Sequence, residues 1–183
     1  MEKNKLAMLL FIANEAVFFL LLILAYVAMH RKTGTGPTAA SSLDLAVTSF
    51  YTVLLLSSSF TLWRAEASHR KGRRRALAGW LGATILLGAG FLFGQAREYA
   101  GLIGRDVTIS RDLFGTTFFT LTGFHGLHVF LGLVMLAVLL GFALLGRARE
   151  PAAGAMNAVS VYWHFVDAVW VVIFAVVYLW AFL

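Results

Sequence analysis

Five long apolar runs dominate this chain: Leu6–Met29, Leu45–Trp63, Ala76–Ala96, Leu113–Leu145 and Ala158–Phe182. A helix needs about 20 mostly apolar residues to cross a bilayer, and each run meets or approaches that length. Backbone polar groups in hydrocarbon must be satisfied within their own segment, so such runs are expected to be helices. The fold class that follows is all-α: a polytopic bundle of five transmembrane helices forming one transmembrane domain over residues 1–183. The fourth run exceeds a simple span, which implies a tilted helix or one that projects past the membrane.

Composition supports this reading. Sixty per cent of the residues are hydrophobic and only 13% are charged, against about 25% charged in a soluble domain. The first run carries Glu15 in its middle and is longer than a signal-peptide core, so it is expected to remain as a span. The chain has no cysteine. Disulfides, thiolate catalysis and iron–sulfur ligation are therefore excluded.

The loops set an expected orientation. One side of the membrane receives Lys3, Lys5, Arg64, Arg70, Lys71, Arg73, Arg74, Arg75, Arg147 and Arg149; the other receives Arg31, Lys32, Arg97, Arg105 and Arg111. Positive residues favour the cytoplasmic side, which places the N-terminus in the cytoplasm and the C-terminus outside. The basic loop RAEASHRKGRRR reads as a topology anchor facing membrane lipids, and no nucleic-acid partner is expected. Thr33–Ser42, with Gly34, Gly36 and Pro37, reads as a turn.

Small residues mark expected helix contacts: Gly90 and Gly94, Ser57 to Ser59, then Gly123, Gly126 and Gly132. Ionisable groups within the apolar runs are the candidate functional residues, because each is costly in lipid. Glu15 is either a proton-linked carboxyl or a buried hydrogen bond between helices. His125 and His128 are three residues apart and share a helix face. Imidazole pairs hold metals or haem iron, but a metal centre usually gathers three or four ligands. The plainer reading is a pair of histidines bonded to neighbouring helices. His164 and Asp167 have the same spacing, compatible with a structural pair or with a proton relay. Gln95, Glu98 and Tyr99 form an expected polar cluster at the outer interface, beside Arg97. No phosphate loop, dinucleotide fingerprint or nucleophilic triad is present, so no catalytic residue is assigned.

Five strings occur in order: FIANEAVFF, QAREY, FGTTFF, TGFHGLHVFLG and YWHFVDAVW. Together they closely resemble subunit III of the haem–copper oxidases, and the resemblance runs from Leu6 to Leu183. That family has a seven-helix and a five-helix form, and this chain resembles the shorter one. The resemblance implies a non-catalytic subunit without haem, copper or other metal of its own. It implies packing on subunit I beside subunit II, with haem and copper in those partners, and support for proton uptake and for stability of the oxygen-reducing subunit. It makes Glu15 the family's carbodiimide-reactive carboxyl and His125, His128, His164 and Asp167 its polar core. A bound phospholipid is compatible with the family. Cytochrome c is the expected electron donor, as Glu rather than Asp at position 15 suggests. A quinol oxidase subunit III and the relative associated with nitric oxide reductases are the alternatives. An independent proton-coupled transporter would call for broken helices or inverted repeats, and neither is evident. The expected location is a bacterial cytoplasmic membrane.

Overall fold

The computed structural model describes residues 3–30, 43–109, 113–145 and 151–180. Among these there are no strands, and five helices are long and apolar enough to cross a membrane. They are α1 (Lys3–His30), α2 (Leu45–Arg70), α3 (Arg74–Ile103), α4 (Leu113–Leu144) and α5 (Pro151–Phe174), the last running into a π-helical turn at Ala175–Leu179. The chain is a multi-pass membrane protein. The helices run beyond the apolar runs: α2 continues from Trp63 through the basic segment to Arg70, because its backbone pairs internally whatever the side chains are. At 32 residues α4 is about 48 Å long and exceeds the hydrocarbon thickness. The Thr33–Ser42 turn, Arg31, Lys32, Arg111, Arg147, Arg149 and the last two residues of the fifth run, 181–182, lie outside the described residues.

Local signals fix the helix ends. Asp44 caps α2, its carboxylate accepting from the amides of Ala46 at 3.0 Å and Val47 at 3.1 Å. Three residues join α2 to α3, and Gly72 takes φ +66°, the left-handed conformation that glycine adopts without a Cβ penalty. Its amide donates to His69 O at 2.9 Å and that of Arg73 donates to Ser68 O at 3.0 Å, closing the helix. The hairpin so formed makes α2 and α3 the most extensively packed pair. Beyond it, α3 packs on α4, α4 on α1 and α5, and α5 on α1 and α2.

The core is centred on α5. Trp163 and Trp170 are buried, and each indole N–H is satisfied by a hydroxyl of α2: Trp163 donates to Ser58 at 2.9 Å and Trp170 to Thr52 at 3.0 Å. Trp163 fits because two facing positions lack a side chain. A Cβ on Gly88 of α3 would stand 2.8 Å from its ring, and one on Gly132 of α4 would stand 2.7 Å from it. At Gly94 a Cβ would collide with the Tyr51 ring, whereas Gly90 makes only a 3.4 Å contact with Leu54. Of the GxxxG pair, Gly94 therefore sets the α2–α3 approach. Outside, the bundle is covered by large apolar side chains such as Leu10, Leu86 and Phe93, which suits a lipid surrounding.

Candidate functional site

Among the described residues, most of the candidate polar residues gather in three centres that join helices, with His125 apart. The first lies near the middle of α1 and α4. Glu15 Oε2 is 3.0 Å from His128 Nε2, and both side chains are largely enclosed. His128 Nδ1 is 2.7 Å from the Phe124 carbonyl. A carbonyl only accepts, so Nδ1 carries a hydrogen. Nε2 then accepts from a protonated Glu15, or donates to an ionised Glu15 as imidazolium. Either way one proton occupies the line between the two atoms. Phe19 stands edge-on to His128 with centroids 4.9 Å apart, and Tyr162 donates to the His128 carbonyl at 3.0 Å. The partner of Glu15 was not identifiable from sequence, because 113 residues separate the two.

His125, one turn from His128, belongs to a different environment. It is fully buried, stacked on Trp170 at 4.9 Å, with Phe19 and Phe91 against it. Neither ring nitrogen has a hydrogen-bond partner among the described residues. The two histidines do not converge on one point. Among the described residues no group of three His, Cys, Asp or Glu side chains could hold a metal.

The second centre joins His164 and Asp167 of α5 through a third residue. Ser59 of α2 stands between them, donating to Asp167 Oδ2 while its oxygen lies 2.9 Å from His164 Nδ1. Ser59 was visible in the sequence only as one of three packing serines. The pair does not reach Glu15: the two centres are separate.

The third centre lies near the C-terminal end of α3, where Gln95, Glu98 and Tyr99 turn to different neighbours. Gln95 and Tyr99, four residues apart, face α4. Gln95 Nε2 donates to Thr122 O at 2.7 Å, and Tyr99 OH lies 2.7 Å from Thr122 Oγ1. Thr122 gives its proton to Phe118 O, so Tyr99 is the donor in that pair. Glu98 points elsewhere. Its carboxyl accepts from Thr48 of α2 at 2.9 Å and from Tyr178 at 2.7 Å. It is therefore a tie between helices. Tyr178 had no signal in sequence; the π turn at Ala175–Leu179 puts it in the core. Glu98→Leu should release both donors and lower the unfolding temperature in detergent, with Glu98→Gln intermediate because an amide oxygen still accepts. Equal melting of the three proteins would remove Glu98 as a tie.

Acid–imidazole and serine–carboxyl links thus tie this bundle of five apolar helices from within. The sequence profile of the family described as cytochrome c oxidase subunit III matches residues 1–182. The chain belongs to that family. A probable cytochrome c oxidase subunit 3 of Nocardia farcinica is 36% identical over 171 residues, covering 93% of this chain and 84% of its own length. Cytochrome c oxidase subunit 3 of Bacillus sp. strain PS3 is 37% identical over 183 residues, covering 97% and 86%. A cytochrome bo(3) ubiquinol oxidase subunit 3 of Pseudomonas aeruginosa is 35% identical over 170 residues, covering 93% and 81%. As a subunit III family member, the chain is a subunit of a haem–copper oxidase complex, and the three centres lie within an oxidase subunit.

Proposed function

We propose that the chain is the non-catalytic third subunit of a proton-pumping terminal oxidase in a bacterial cytoplasmic membrane. It packs on subunit I, beside subunit II, and supports proton uptake and the stability of the oxygen-reducing subunit. Haem and copper, on this reading, reside in those partners. The observation that carries the proposal is the Glu15–His128 pair. It is a carboxyl and an imidazole sharing one proton near mid-membrane. His125, His128, His164 and Asp167 serve as the polar core, and Gln95, Glu98 and Tyr99 as interhelical ties.

The test is gentle purification of the tagged chain from its native membrane, followed by a redox difference spectrum and identification of the proteins that accompany it. The expected result is a haem spectrum with oxidase subunits I and II. Cytochrome c is the proposed donor. The similarity to a ubiquinol oxidase subunit keeps quinol as the second reading, and oxidation assays with each donor separate them. The chain alone, without haem protein, would refute the proposal. The N-terminus is assigned to the cytoplasm from the distribution of basic residues. A phosphatase fused after Leu183 should accordingly be active, and one fused before Met1 inactive. The reverse pattern would invert the assignment.

A further inference from the structure

His164 lies near the middle of α5, yet its side chain is exposed. Its hydrogen bonding has a direction. Ser59 has one proton and gives it to Asp167 Oδ2. The serine oxygen therefore accepts from His164, so Nδ1 bears the hydrogen. In the neutral ring the other nitrogen, Nε2, is then an acceptor. No described residue donates to it. Asp167 Oδ1, buried in the same seam, is also without a hydrogen-bond partner among the described residues. At a protein surface in water Nε2 would be hydrated. In hydrocarbon no water is at hand, and polar groups at such depth face protein or a cavity.

The strip around His164 combines this free acceptor with small side chains. Asn157, Val161, His164, Ala168 and Val171 of α5 and Ala175 of the π turn follow at helical spacing on one face, and all but Val161 are exposed. Toward the C-terminal end these side chains are small, which allows another helix to come close. Other faces mix bulky groups such as Leu86 and Phe93 with small ones such as Gly82, but none of these carries an ionisable side chain at its centre. The other sides of α5 are covered by α1, α2 and α4.

We propose that this strip is the seat of a transmembrane helix from another subunit of the oxidase, and that this helix presents a hydrogen-bond donor to His164 Nε2. The donor is a hydroxyl, amide or indole N–H. A lipid tail offers none at this depth, and a second copy of the strip would set acceptor against acceptor. The proposal rests on the reading of the chain as an oxidase subunit and adds which face it uses.

The absence of cysteine and the small side chains make the strip easy to label. A photoreactive amino acid is placed singly at Ala168, Val171 or Leu86, cells are irradiated, and the complex is purified through a tag on this chain. Adducts with a co-purifying oxidase subunit, identified by mass spectrometry, are expected from positions 168 and 171 and not from 86. If oxidase subunits co-purify but 168 and 171 yield adducts only with lipid or with a second copy, the face is wrong while the oxidase reading stands. If no oxidase subunit co-purifies, both fail. In parallel, His164→Leu should reduce retention of the chain in the complex by about three- to tenfold, the scale of one interhelical hydrogen bond in a bilayer. His164→Gln, which keeps an acceptor, should restore it. Full retention of His164→Leu would remove the donor from the proposal.

Discussion

Trp163→Ala should cost the bundle about 3–5 kcal/mol, the range found when a large buried aromatic side chain is truncated. Trp163 is 0% exposed and touches three helices besides its own. Its ring lies against Gly88 of α3 and Gly132 of α4, and its indole N–H donates to Ser58 of α2. Truncation leaves a cavity where those helices meet and deprives Ser58 of a donor. Trp163→Phe separates the two effects, keeping much of the volume while losing the N–H, and should cost about 1–2 kcal/mol. Gly132→Leu approaches the same contact from the other side. The ring has no room to retreat, so the added side chain forces the α4–α5 interface apart. Unfolding of the detergent-purified protein, followed by Trp fluorescence or by helicity, gives the three values. Unchanged stability in Trp163→Ala would mean that the helices are held together elsewhere.

That contact also illustrates what the sequence discloses. Gly132 and Ser58 were recognisable as packing residues, because small side chains inside apolar runs have few other uses. The side chain they accommodate was not, since YWHFVDAVW draws attention to its histidine and aspartate rather than to its tryptophan. Helix number and type followed from run length alone. Polar residues were recognisable because each is costly in lipid, but their partners were not: Glu15 meets His128, Glu98 meets Tyr178, and Ser59 meets Asp167 across 108 residues. Helical periodicity reports which residues share a face within one helix. It carries no information on which helix that face meets, so Ser59 of α2, which bonds both His164 and Asp167, could not be placed there from spacing. The same limit led Glu98 to be grouped with Gln95 and Tyr99, although a step of one position around α3 turns it toward α2 and α5 instead of α4.

The second large effect is expected at the Glu15–His128 pair. Most apolar side chains of α1 stay outside the core, and the helix meets the bundle along α4 and α5. Its polar link to His128 is one of the ties on that seam. His128→Leu leaves Glu15 beside an apolar ring cluster without its partner, and Glu15→Leu leaves His128 Nε2 unpaired. Removing one member of a buried ionisable pair commonly costs about 3–5 kcal/mol, more than the pair contributes when intact. The double variant should consequently be more stable than the sum of the single losses implies. The coupling in a double-mutant cycle should be about 1–2 kcal/mol in favour of the intact pair. Glu15→Gln retains a group able to donate to Nε2 and should stay near the parent stability. In the assembled oxidase it nonetheless removes the proton that the pair shares, so turnover should fall while subunit retention does not. A turnover rate equal to the parent in Glu15→Gln, together with additive losses in the cycle, would reduce the pair to two unrelated packing residues. A loss of turnover at full retention, with coupling in the cycle, identifies Glu15 and His128 as one proton-holding unit whose link also keeps α1 in place.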